Sequence, residues 1–185
     1  MASDLRDRLI SQFRWTDPGP DSDVLVSDRS GWWRDPYILD AIGPALAGLF
    51  TDRSPTVVVA PEVTGFLLGP LVARALGVGF VEAYRAGARR PIAEPMTWAD
   101  VPADHRGEPQ RLGVRTHLIG PGDRVLVVDD WAGTGAQARA LHTVISTLGA
   151  EPVGTAVIVH EGPPAGNVRG LLTRADLSPG PAGTE

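Results

Sequence analysis

The sequence predicts an α/β protein with a central, mostly parallel sheet flanked by helices. Three runs, residues 56–60 (TVVVA), 124–128 (RVLVV) and 155–159 (TAVIV), are apolar and largely β-branched without polar alternation. That is the pattern of strands covered on both faces. The first two runs each lead through a small-residue loop into a segment of helical period, and then towards another strand. This order belongs to crossover units of a parallel sheet. With 185 residues, 43% of them hydrophobic and 21% charged, the chain suits one domain with a sizeable core.

Taken in order, residues 4–14 set Leu5, Leu9, Ile10 and Phe13 at helical spacing, with Ser3 available as an N-cap. Residues 16–23 (TDPGPDSD) are a loop, 24–26 a short strand, and 27–31 (SDRSG) a turn. A helix then starts near Asp35 or Pro36, a favoured N-cap and N1 pair, and buries Ile38, Leu39, Ile42, Leu46 and Leu49. Trp32 and Trp33 stand where that helix begins. Two readings stay open for them: packing in the core or a subunit contact, or one of them bordering a binding pocket. The strand at 56–60 passes through Pro61-Glu62-Val63-Thr64-Gly65 into a helix carrying Phe66, Leu67, Leu71, Val72, Ala75 and Leu76. Gly77 closes that helix as a C′ residue, and residues 78–84 form the next strand.

Residues 85–117 hold prolines, glycines and six arginines, and read as a long flexible loop of the functional kind. Short strand candidates lie at 112–114 and 117–119. Past the turn at Pro121-Gly122-Asp123 comes the central strand. Leu141, Val144, Ile145 and Leu148 then mark a helix that ends at Gly149. The last strand candidate is 168–172, and residues 178–185 have the composition of a disordered tail.

The chemistry concentrates in residues 124–138 (RVLVVDDWAGTGAQA). Asp129 and Asp130 stand where the strand emerges, the place where open α/β sheets bind ligands. Two adjacent carboxylates can accept hydrogen bonds from two vicinal hydroxyls. Gly133-Thr134-Gly135-Ala136 lets backbone N–H groups approach a ligand closely, just before a helix starting near Ala138 whose positive end suits a phosphate. Phosphate beside a diol indicates a sugar phosphate. A Walker A loop is excluded because it requires lysine, and all 17 basic residues here are arginine.

This stretch (strand, Asp-Asp, two residues, small, Thr, Gly, small) resembles the phosphoribosyl-pyrophosphate (PRPP) signature of the type I phosphoribosyltransferases. Residues 56–85 and 119–148 together resemble the adenine-type branch. The resemblance implies a type I phosphoribosyltransferase-like fold: an N-terminal hood over residues 1–35, a core over 36–177 with its flexible loop at about 85–117, and the tail. It implies PRPP and a nucleobase-like acceptor, an adenine-type purine first, with Mg2+ held mainly through PRPP and water. It also implies a homodimer. Asp129 and Asp130 would hold the ribose hydroxyls. Ala132, Gly133, Thr134, Gly135, Ala136 and Gln137 would hold the 5-phosphate. Glu62, Val63, Thr64 and Gly65, with Arg85, Arg89 and Arg90, would receive pyrophosphate, and Glu94 would assist proton removal from the base. Residues of about 14–33, with Trp15, Trp32 and Trp33, would cover the base.

Two positions depart from the family pattern. Thr64 stands where an arginine is usual, and Ala136-Gln137 replaces a Gly-Thr. Arg89 or Arg90 could offset the first. These departures keep two alternatives open: a catalytically weak PRPP- or nucleotide-sensing regulator, and an enzyme with a non-purine acceptor. His105 and His117 have the chemistry of general bases, though lone histidines more often lie on the surface.

The charge of −5 argues against nucleic acid as the main partner. No apolar run is long enough for a membrane span, and residues 1–10 carry no signal-peptide pattern, so the cytoplasm is the expected location. With no cysteine in the chain, thiolate chemistry and cysteine metal sites are excluded.

Overall fold

A computed structural model describes residues 2–20, 25–87, 92–102, 110–161 and 167–178. In chain order the elements are α1 (Ala2–Ser11), β1 (Arg14–Thr16), β2 (Val26–Asp28), α2 (Ser30–Arg34), α3 (Pro36–Gly48) and β3 (Val57–Pro61). Then come α4 (Gly65–Leu76), β4 (Gly79–Arg85), β5 (Met96–Val101), β6 (Gln110–Arg115), β7 (Arg124–Ala132), α5 (Ala136–Thr147), β8 (Glu151–His160) and β9 (Val168–Thr173).

Seven strands form one sheet in the order β5-β6-β4-β3-β7-β8-β9. The five strands from β4 to β9 pair in parallel. At the other edge β5 and β6 are antiparallel to each other, and β6 is antiparallel to β4. The strand order reverses between β3 and β7. From β3 the chain crosses through α4 to β4 on one side, and from β7 through α5 to β8 on the other. That reversal is a topological switch point, and it leaves a crevice beyond the carboxyl ends of β3 and β7.

The unbroken apolar strands follow from burial on both sides. Val58, Ala60, Leu126 and Val128 face one core, with Leu5 and Leu9 of α1, Trp32 of α2, Ile38, Ile42 and Leu46 of α3, and Leu68 and Val72 of α4. Val57, Val59, Val125 and Val127 face the other, against Leu141, Val144 and Ile145 of α5 and Leu112 and Val114 of β6. Asp35 caps α3 as the sequence predicts, its carboxylate accepting from the Tyr37 backbone N–H at 2.8 Å. Gly77 closes α4 in the left-handed conformation.

Several expectations are corrected. The stretch 85–117 is not one loop: β5 and β6 make a hairpin that extends the sheet beyond β4. Its strands owe their form to pairing with each other and, through β6, with β4, which composition does not register. Residues 116–118 form a 3-10 turn rather than a strand, and another 3-10 turn (Arg174–Leu177) follows β9. At the N-terminus α1 ends at Ser11, earlier than expected, and β1 and β2 pair as an unanticipated two-stranded ribbon. Leu39 lies on the open side of α3, 38% exposed. The tail from 179 onward lies outside the described residues.

Gly154 offers a stability test. It has φ +148°, opposite the irregularity between Val125 and Leu126, and an added Cβ would lie 2.2 Å from the Phe50 ring and 2.8 Å from the Asn167 carbonyl oxygen. Gly154→Ala combines backbone strain with overpacking, so the expected loss is about 3 kcal/mol. A drop in urea midpoint at unchanged slope measures it; an unchanged midpoint would show that the strand relaxes around the methyl.

Candidate active site

The register of the sheet places the two acids. β3 pairs with β7 only from Val125 to Val127, whereas β8 follows β7 to Ala132. The last third of β7 therefore overshoots its neighbour on one side, and Asp129 and Asp130 flank the notch that this leaves. They lie within the strand rather than after it. Asp130 is 6% exposed and is the one buried charged residue among those described. Asp129 keeps an oxygen on the Asp130 backbone N–H at 2.9 Å. Although it retains some surface in the notch, burial and the neighbouring Asp130 charge push its carboxyl well above the ordinary carboxylate range.

Beyond Ala132 the chain turns through Gly133-Thr134-Gly135 directly into α5, which starts two residues earlier than expected because Gly135 takes the left-handed conformation (φ +71°). The Thr134 hydroxyl accepts from the Ala136 N–H at 3.3 Å, and Arg139 donates to the Thr134 carbonyl at 2.8 Å. Across the notch, Pro61 to Thr64 lead from β3 into α4, with a cis peptide between Glu62 and Val63. Glu62 is tied to β4: its carboxylate accepts the Arg85 backbone N–H at 2.7 Å and its own N–H donates to Ala83 O at 2.9 Å. The Arg85 guanidinium spans the two loops, donating to the Glu62 carbonyl at 3.4 Å, to the Gln137 side-chain oxygen at 3.0 Å, and to Gln110. Gln137 thus links the glycine loop to that arginine.

These elements enclose a cavity of about 740 Å³. Of the residues singled out in the sequence, it gathers Asp129, Asp130, the whole of Ala132 to Gln137, Glu62, Val63, Thr64 and Arg85. Gly65 is buried behind it. Arg89, Arg90 and His105 lie outside the described residues. Glu94 does not line the cavity; its carboxylate pairs with Arg115 at 2.9 Å, and Arg115 also reaches Glu82 at 3.0 Å. His117 is exposed on its 3-10 turn.

The N-terminal elements separate the tryptophans. Trp32 is fully buried and donates its indole N–H to Leu9 O at 2.7 Å, while Trp33 packs edge-on against it. Both therefore serve the core. Trp15 instead lines the cavity, with Leu25, Val26, Ser27 and Arg29.

Four cavity residues escape a sequence reading. Trp131 lies between the acids and the glycine loop; its N–H donates to Glu161 at 2.8 Å, and its ring meets Trp15 at 6.1 Å and 79°. Arg174 sits 4.7 Å over Trp15 and 3.4 Å from the Glu161 carboxylate. Arg29 bonds Asp130 at 2.5 Å. Only the position of Trp131 inside the acidic signature marked it; the others come from segments without a motif.

An α/β sheet that holds two carboxylates at its switch point, beside a glycine-rich helix start, defines a protein built to bind a phosphorylated sugar. The phosphoribosyl transferase domain family matches residues 34–176. The adenine phosphoribosyltransferase of Methylococcus capsulatus is 33% identical over 153 residues, 83% of this chain and 86% of that protein. That of Yersinia enterocolitica is 33% identical over 141 residues, 76% of this chain and 73% of that one. The solved adenine phosphoribosyltransferase of Leishmania tarentolae has a TM-score of 0.78 at 26% identity, over 94% of this chain and 89% of that chain. That of Rhodothermus marinus reaches 0.79 at 24% identity, over 92% and 99%, a likeness of fold. The chain belongs to the phosphoribosyltransferase family and has its type I fold.

Proposed function

We propose that this protein transfers the 5-phosphoribosyl group from PRPP to an adenine-type purine and releases pyrophosphate. The observation that carries the reading is the notch between β3 and β7, where two acids lie between the start of α5 and the Glu62 to Thr64 loop that Arg85 of β4 touches. The relatives named above support the adenine-type acceptor.

The reaction breaks the bond between the anomeric carbon and pyrophosphate and forms one to a base nitrogen, which gives up its proton. Positive charge develops at the sugar and negative charge on the leaving group. The protein's contribution is positioning, charge stabilisation and exclusion of water. Asp129 and Asp130 accept the ribose hydroxyls. The backbone N–H groups at the start of α5 receive the 5-phosphate. Arg85, whose side-chain partners are carbonyl oxygens rather than carboxylates, keeps its charge for pyrophosphate, beside the Glu62 to Thr64 backbone. The acceptor lies on the side of Trp15 and Trp131. Glu94, tied to Arg115, is given no role in this arrangement.

Among the described residues no group of three or more His, Asp or Glu could enclose a metal ion. The donor set fits an ion held mainly by substrate oxygens and water, which hard cations such as Mg2+ accept. When bound, Mg2+ would neutralise charge on the pyrophosphate. The alternatives rest on Thr64 and Gln137. Gln137 bears on them directly, because it bonds Arg85 and so gives its position a use other than a lost hydroxyl.

The test is pyrophosphate release from PRPP with Mg2+, across adenine, guanine, hypoxanthine, xanthine, uracil and orotate. Release with adenine is expected. Release with another base alone would move the acceptor, and silence with every base while PRPP still binds would favour the sensor. Absence of PRPP binding would overturn the reading.

A further inference from the structure

The bond between Arg29 and Asp130 joins the hood to the sugar site. Arg29 lies between β2 and α2, and its backbone is fixed on both sides. The Ser30 N–H donates to the Asp28 carboxylate at 2.9 Å, and two residues later Trp32 is anchored in the core with its N–H on Leu9 O. From that base the guanidinium reaches Asp130 Oδ2 at 2.5 Å, with side-chain exposures of 28% and 8%. A buried carboxylate needs a partner, and a guanidinium supplies both charge and a directed donor.

The other cations lining the cavity bond to groups other than Asp130. Asp129 lies beside Asp130 on β7 and repels it. Arg85 of β4 is bonded to Glu62, Gln110 and Gln137. Glu62 is held by β4. Glu161 at the end of β8 and Arg174 beyond β9 pair with each other. Among the described residues, Arg29 is the cation that forms a salt bridge with Asp130.

We propose that Arg29 is a positioning residue for the transfer reaction: it holds the Asp130 carboxylate oriented for a ribose hydroxyl, and ties the hood to the sugar site. This rests on the proposed function. The hood is then not only a lid over the acceptor; it completes the acid pair that grips the donor.

The test compares the full-length parent with Arg29→Gln and Arg29→Lys. It uses urea unfolding, PRPP affinity by calorimetry, and the KM for PRPP set against kcat and the KM for the base. In Arg29→Gln, PRPP affinity is expected to fall about tenfold, with KM for PRPP rising in proportion and KM for the base unchanged. Arg29→Lys, which keeps a charged donor, should recover most of that loss. PRPP affinity left at the parent's value in both variants would overturn the proposal, even if stability fell, because a purely structural arginine predicts that result. Should Arg29→Gln not fold, the Lys variant decides: a loss of PRPP affinity below about tenfold with KM for the base unchanged supports the assignment, and no loss, or equal losses for PRPP and base, sinks it. If the parent itself binds no PRPP, the function fails first and this proposal with it; if the parent binds and turns over, only the role of Arg29 is at stake.

Discussion

Asp129→Asn combined with Asp130→Asn is expected to lower PRPP-dependent pyrophosphate release by at least about a thousandfold, more than removal of a single charge-stabilising group usually costs. Asparagine keeps the volume but removes both negative charges, and it turns one acceptor oxygen of each side chain into a donor. The ribose hydroxyls then meet too few acceptors, and Arg29 loses the anion it holds. The fold should survive. Asp129 is an acid whose folded carboxyl titrates above its unfolded value because of burial and Asp130. The stability linked to such a group is fully present below the unfolded range, about pH 4, and is lost as pH rises through the folded value. Towards neutral pH the parent therefore loses the stability linked to this carboxyl. Asp129→Asn alone should flatten the decline of Tm from acid towards neutral pH while it impairs turnover. A variant that loses activity only because it unfolds would contradict this site, and so would one that keeps full activity.

The largest stability effect is expected at Trp32. The side chain is fully enclosed between α1 and α3, beside Phe13 and Trp33, and its N–H satisfies the Leu9 carbonyl near the end of α1. Truncation leaves a cavity that rigid neighbours cannot close, at a cost of about 4 kcal/mol. For a chain of this length that corresponds to a Tm fall of roughly 10 °C. Trp32→Phe keeps most of the ring and loses the hydrogen bond, so it should cost about 1–2 kcal/mol. Because α2 carries Arg29 at its start, Trp32→Ala should also weaken PRPP binding. Near-native stability in Trp32→Ala would show that the hood can detach from the core without loss.

The departures from the family pattern look different once the side chains are placed. Gln137 lacks the hydroxyl expected at that point, yet its amide oxygen ties Arg85 to the glycine loop at 3.0 Å. Thr64 leaves its position without a cation, and Arg85 lies across the notch among carbonyl partners. Sequence comparison position by position registers two losses. The structure shows one arginine serving both loops.

What the sequence determined by itself was local and periodic. Buried parallel strands need apolar side chains on both faces, so 56–60, 124–128 and 155–159 announced the sheet. The Asp35-Pro36 pair set the start of α3, and the run from Asp129 to Gln137 marked the proposed sugar-phosphate site, because backbone geometry and a pair of adjacent acids leave a direct trace in residue order. Tertiary structure decided the rest. β5 and β6 become strands by pairing with each other and, through β6, with β4, contacts that an arginine- and proline-rich composition does not encode locally. Trp32 and Trp15 are alike as residues, but one fills the core and the other walls the cavity, since only packing distinguishes them. Arg29, Glu161 and Arg174 reach the site from segments distant in sequence, while Glu94 pairs with Arg115 and does not line the cavity. Such placements arise from long-range contacts, and a single chain of letters carries no distance between them.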